Sequence, residues 1–413
     1  MDRMIVPSMP TRLLLLCAAA LLFTLGAYDN PPSDPPQHVQ TAAYLWTPGL
    51  AASDPSRFKP YLTWAYPLYS QADRVHDAGI KTIFYINPVM PQRGEHEYDL
   101  LTGQYADVGA KDCSGNASTS YAGKGLLSDP RSPRAADFYA DTVDWYIHHK
   151  IDIHGGEQNP NALFVDNNGA LYGVNPQPCN YDARSWGRAF DRAIAGIHQP
   201  IVTNSLAARD SDTATYVDRL TPPNIIGGMF EECFNDRLWS AEEDSQIETI
   251  ALFKREHKSS GPGWWCYVNN TSADGAASIP QRLFAYASFL LTYDPKYSTF
   301  QESFTTPSKF DVFPETGFVP LDPSSNPRNV EDLRTSTGAY VQSYSACYYR
   351  GRRIGRCEIA VNPGSASVGV PNRGGLHHSM VIQGEGVLDG GSVAFNGASV
   401  GSLGAQSAAI LVP

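Results

Sequence analysis

Acidic residues stand in two places where a short apolar run stops abruptly. Asn161–Gly173 reads NALFVDNNGALYG, so Asp166 follows the four apolar residues Ala162–Val165; IIGGMFEE ends on Glu231 and Glu232. Runs this short and this apolar belong to covered strands of the parallel kind. The carboxyl ends of such strands are where α/β folds gather their loops and their chemistry. Two carboxyl groups across one cavity can divide the cleavage of an acetal: one gives a proton to the leaving oxygen, and the other attacks the anomeric carbon or activates water. Asp166 by itself serves equally well as a turn cap, so its pairing with Glu231 or Glu232 is what points to catalysis. Successive side chains of a strand point opposite ways, and only one of the two glutamates is expected to face the cavity.

Other reaction classes leave no trace. HExxH and a glycine-rich phosphate loop are missing from the chain, as are CxxC pairs and histidine-rich spacings. Neither a cofactor nor a metal is therefore implied. Other strand-end positions carry rings and amides: Tyr44, Trp46, Tyr85, Asn87, Asn167, Asn204, Trp264, Trp265, Tyr267 and Asn269, with Asp129 in an SDP turn. Rings stack on the C–H faces of sugars and amides bond their hydroxyls, so these are the candidate substrate contacts.

Those residues need a scaffold that brings strand ends together. Strands are expected at Thr41–Trp46, Lys81–Asn87, Leu126–Asp129, Ala162–Val165, Pro200–Ser205, Ile225–Phe230, Trp264–Val268 and Tyr297–Phe304. Helices are expected at Ser70–Ala78, Arg134–His149, Tyr181–His198, Ala241–His257 and Pro280–Tyr293. Strand alternating with helix over this length is the pattern of a (β/α)8 TIM barrel, assigned to residues 41–323. Beyond Pro323 the helical spacing stops. Short alternating segments such as YVQSYSACYY, CEIAVNP and SAAILVP, separated by Gly, Asn and Pro, predict a small antiparallel β-sandwich-like domain over 324–413. The densest basic run, RGRRIGR at Arg350–Arg356, is expected at the exposed turn of a hairpin there.

The chain holds 42 acidic and 31 basic residues in 413, a net charge of −11, which leaves no basic surplus for a nucleic-acid partner. Arg3 and Arg12 precede LLLLCAAALLFTLGA, an apolar run too short to span a bilayer comfortably that ends in small residues near Ala27. It reads as a cleaved export signal over residues 1–27, followed by a proline-rich leader over 28–40. The mature protein is expected outside the cytoplasm, secreted or periplasmic, with no membrane attachment. Six cysteines remain after the signal, an even number in an exported chain, which favours disulfides. Position along the expected strands pairs Cys347 with Cys357 and Cys233 with Cys266, leaving Cys113 with Cys179 between two long loops.

ALFVDN, IIGGMFEE and the trailing CEIAVNPG and ILVP together resemble barrel-type glycoside hydrolase families related at a distance to endo-α-1,4-polygalactosaminidases and to the retaining α-galactosidase clan. That resemblance implies a nucleophilic Asp ending the fourth strand, here Asp166, and a carboxylate acid/base ending the sixth, here Glu231 or Glu232. The chain departs from the clan in having Phe164 where the clan has a Lys, and Glu where the clan has Asp on strand six. The expectation is an exported glycoside hydrolase acting on a polysaccharide or glycoconjugate. The alternative is a catalytically silent carbohydrate-binding or surface protein on the same scaffold.

Overall fold

A computed structural model describes residues 35–45, 54–67, 71–148, 160–166, 173–204, 206, 217–234, 239–269, 278–303, 312–371, 374–387 and 390–413. The expected signal and most of the leader, as well as Trp46 and Asn167, lie outside these residues.

Eight parallel strands close into a barrel: β1 (Gln40–Leu45), β2 (Trp64–Pro67), β3 (Lys81–Ile86), β4 (Ala162–Val165), β5 (Ile201–Thr203), β6 (Ile225–Glu231), β7 (Gly263–Asn269) and β8 (Ser298–Ser303). Each pairs with its neighbours in chain order, and β8 closes on β1 through Gln40 opposite Thr299. Helices α1 (Ala72–Asp77), α2 (His96–Thr102), α3 (Ala135–His148), α4 (Ala183–Ile194), α5 (Trp239–Arg255) and α6 (Ile279–Leu291) lie in the connections. Between β5 and β6 the described residues hold a 3₁₀ turn at Val217–Leu220.

One strand differs from expectation. The second is Trp64–Pro67, and Lys81–Ile86 is the third. Residues 126–129 do not enter the barrel: Gly125–Leu126 pairs with Thr119–Ser120 in a short hairpin inside the long β3–α3 connection. From β4 onward the strand numbering agrees with the sequence reading.

Alternation sorts the strand residues physically. Tyr66, Ile83, Phe164, Val202, Met229 and Trp265 fill the barrel interior, while Phe84, Leu163, Val165, Phe230, Trp264 and Phe300 belong to the layer between strands and helices. Gly228 is needed where the chain after β5 crosses β6: a Cβ there would come within 2.8 Å of Leu220 and 3.1 Å of Leu206.

A six-stranded antiparallel sheet follows, with strands β9 (Phe318–Pro323), β10 (Tyr340–Tyr349), β11 (Arg352–Asn362), β12 (His378–Gln383), β13 (Ser392–Gly397) and β14 (Ser407–Val412) in the order β9-β10-β11-β14-β12-β13. Ile359, Val361, Ile410 and Val412 join the large core that includes α6. Ala360, Ala409 and Leu411, on the opposite face, pack with Val370 and Leu403 around a two-stranded ribbon of Val368–Gly369 and Ser402–Leu403. Helix α6 and the sheet are also joined by a buried ion pair: Arg282 Nε donates to Glu315 Oε1 at 2.8 Å, and its Nη1 donates to the Gly384 carbonyl at 2.9 Å.

Candidate active site

Asp166 sits one residue past β4 with its backbone N–H still bonded to the Ile86 carbonyl, so the ladder fixes its direction. Asn204 holds the same place past β5, donating its backbone N–H to the Val165 carbonyl. Glu231 is the last residue of β6, opposite Tyr267 of β7. Because Met229 points inward and Phe230 outward, Glu231 is carried inward by strand period.

Those three backbones bring their side chains into one hydrogen-bonded set. Tyr85 of β3 donates its hydroxyl to Asp166 Oδ2 at 2.6 Å. Asn204 Nδ2 donates to Asp166 Oδ1 at 2.9 Å and to Glu231 Oε2 at 3.1 Å. An amide nitrogen carries two hydrogens, and here each is directed to a different carboxylate. The two contacts bound the gap between Asp166 Oδ1 and Glu231 Oε2 at 6.0 Å, the sum of 2.9 and 3.1 Å. All four side chains are partly exposed at the carboxyl end of the barrel.

The register also separates the two glutamates. Glu232 adopts φ 63°, in the left-handed region that non-glycine residues seldom occupy, and the chain turns away there. That turn is held by Cys233, which donates its N–H to the Tyr267 carbonyl at 3.1 Å and is disulfide-bonded to Cys266 of β7. Phe234, also left-handed at 57°, donates its N–H to Glu242 Oε2 at 2.8 Å. Glu231 is the glutamate whose side chain Asn204 ties to Asp166.

A second support comes from the long β3–α3 connection. Cys113 is disulfide-bonded to Cys179 of the β4–α4 loop. Thr119 pairs with Asn175, and Cys179 donates its N–H to the Lys111 carbonyl at 2.9 Å. The two loops that leave the strand ends carrying Tyr85 and Asp166 are thereby fastened to each other. The third disulfide joins Cys347 and Cys357 across the β10–β11 hairpin, so all three pairs are those that strand position predicts.

Several expected sugar contacts lie elsewhere. Asn87 is 1 % exposed, and its amide closes a turn: Nδ2 donates to the Met90 carbonyl and Oδ1 accepts the Met90 N–H. Asp129 is engaged by Arg131, whose Nε and Nη2 donate to its two oxygens at 2.8 Å each. Trp264 faces outward beneath α5, donating Nε1 to Ser245 Oγ at 3.1 Å. Trp265 does point inward, yet it is fully buried against Tyr66 and Phe164, below the level of the carboxylates. The ring of β7 at the level of Glu231 is Tyr267, which alternation from Trp265 also points inward. Tyr44 and Asn269 occupy their strands, and their side chains, like Trp46 and Asn167, are outside the described set. Among the described residues no group of His, Cys, Asp and Glu is arranged to hold a metal ion, and no helix is long and apolar enough to cross a membrane.

No family model matches the chain, and no curated protein matches it. Solved structures with a similar chain path include a β-L-arabinopyranosidase from Geobacillus stearothermophilus, at 11 % identity and TM-score 0.46, covering 91 % of this chain and 97 % of that one. A maltogenic α-amylase from Thermotoga neapolitana matches at 8 % identity and TM-score 0.44, covering 91 % and 98 %. The glycoside hydrolase domain of PelA from Pseudomonas aeruginosa matches at 11 % identity and TM-score 0.39, covering 66 % and 97 %. These likenesses are of architecture alone.

Proposed function

We propose that the protein is a glycoside hydrolase in which Asp166 is the nucleophile and Glu231 the acid/base. The observation that carries this reading is the Asn204 amide shared between the two carboxylates. A gap of at most 6.0 Å between the facing oxygens favours the closer spacing of retaining enzymes, roughly 5–5.5 Å between carboxyl groups, over the roughly 6.5–9.5 Å of inverting ones. In the first step Glu231 gives its proton to the glycosidic oxygen while an Asp166 oxygen bonds to the anomeric carbon and the C–O bond to the leaving group breaks. In the second step Glu231, now a carboxylate, takes a proton from water as that water's oxygen bonds to the anomeric carbon and releases Asp166. Tyr85 and Asn204 orient the attacking carboxylate through its two oxygens, so no rotamer search precedes the reaction.

The substrate in this reading is a polysaccharide or glycoconjugate met outside the cytoplasm. Three disulfides and the apolar segment followed by a proline-rich leader support that compartment. The test is to screen the purified protein against aryl glycosides and bacterial polysaccharides beside Asp166→Ala and Glu231→Ala. Sugar release by the wild type and its loss in both variants is the expected result. Equal traces from all three proteins would instead leave a carbohydrate-binding scaffold without turnover.

A further inference from the structure

On a chain of net charge −11, four arginines fall within seven residues of one hairpin: Arg350, Arg352, Arg353 and Arg356. All four are exposed, and none forms an ion pair with a carboxylate among the described residues. Arg350 and Gly351 make the turn between β10 and β11 with φ values of 48° and 75°, the left-handed pair that a tight hairpin requires.

Tyrosine rings accompany this charge. The Arg350 guanidinium lies 5.5 Å from the Tyr61 ring centre and 5.6 Å from that of Tyr349, held between the two. Across the ladder Arg352 stands opposite Tyr349 and Arg353 opposite Tyr348, and both tyrosines are partly exposed. Beside Arg350 a cavity of about 180 Å³ is lined by Gln37, Tyr61, Phe313 and Thr316. It is smaller than the roughly 300–1,000 Å³ of pockets for drug-sized ligands, a size suited to one sugar ring or its carboxylate.

The hairpin packs on Pro36 and Tyr61, which precede β1 and β2, so it lies at the amino end of the barrel, opposite the end that carries Asp166 and Glu231. We propose that this hairpin is a binding surface for an acidic polysaccharide, separate from the catalytic mouth. Guanidinium forks pair with carboxylates in bidentate fashion, while the neighbouring tyrosines offer flat faces to sugar rings. The rest of the molecule is acidic on balance, which favours this end for a polyanion.

The inference does not rest on the catalytic reading, and binding tests it without turnover. Titration calorimetry of the full chain with polygalacturonate and with neutral dextran, at low and at high salt, is the measurement. Binding to polygalacturonate alone is expected, weakening with salt. The triple variant Arg350→Gln/Arg352→Gln/Arg353→Gln is expected to bind roughly tenfold or more weakly, with its fold retained by circular dichroism. Absence of binding, equal binding of dextran, or unchanged affinity in the triple variant would each overturn the proposal. So would arginine-dependent binding to phosphatidylglycerol vesicles without binding to polygalacturonate.

Discussion

Asn204 Nδ2 lies 3.1 Å from Glu231 Oε2, and the same nitrogen reaches Asp166 at 2.9 Å. One amide on β5 thus fixes the separation of acids on β4 and β6. The amide offers one hydrogen to each, so a single side chain sets how the two acids face one another.

Removing that donor without adding charge tests its role. Asn204→Leu is expected to lower kcat/KM by roughly ten- to hundredfold, the worth of about 1.5–3 kcal/mol for a hydrogen bond to a charged group. Tyr85→Phe is expected to lose a similar factor. Its melting temperature should hold, because the ring stays stacked on Phe164 at 6.0 Å. Steady-state kinetics beside thermal unfolding separates the two effects.

A buried acid elsewhere makes a pH prediction. Gln246 spends both Nε2 hydrogens on the Phe289 carbonyl and Ser298 Oγ, so its Oε1 must accept the single hydroxyl hydrogen of Thr292. Glu243 Oε2 lies 3.1 Å from the same hydroxyl, and an acid this deeply buried holds its proton to higher pH. Burial raises its pKa well above the usual carboxylate range, and the neighbouring Glu242 and Asp244 add to the shift. The unfolded chain releases this proton at the ordinary value while the folded chain keeps it, so stability falls as pH rises through the window between the two values. The loss is about 1.4 kcal/mol per pH unit in that window. In Glu243→Gln a neutral amide takes the place of the carboxyl group. The variant is expected to equal the wild type below the ordinary carboxylate pKa and to exceed it in stability at neutral pH, as read by denaturant unfolding at several pH values.

The Arg282–Glu315 pair, 2 % and 0 % exposed, joins α6 to the segment that enters the C-terminal sheet. Arg282→Leu alone strands a buried carboxylate and is expected to cost roughly 3–5 kcal/mol, and Arg282→Leu/Glu315→Leu to recover most of that. Denaturant midpoints of the two variants give the comparison.

Much of this arrangement is legible in the sequence because covered parallel strands announce themselves. ALFV and IIGGMF are too short and too apolar for anything else, and the acids that end them are the ones found facing each other. Strand Trp64–Pro67 escapes because WAYP has no alternation and ends in proline. LLSD borrows its place because an apolar pair before Asp-Pro imitates a strand end. WWCYV, apolar throughout, does not reveal which ring faces inward, so Trp264 and Trp265 stand out while Tyr267 is the ring level with Glu231. The choice between Glu231 and Glu232 depends on a positive φ at a non-glycine residue, which no spacing rule signals.

Azide rescue tests the division of labour between Asp166 and Glu231 most directly, using an aryl glycoside that the wild type hydrolyses. In Asp166→Gly azide takes the nucleophile's place, and the glycosyl azide is expected with configuration opposite to the substrate. In Glu231→Ala azide attacks the sugar ester on Asp166, and the glycosyl azide is expected with the substrate's own configuration. Reversed configurations, or no glycosyl azide from either variant, would contradict the assignment of these two carboxylates.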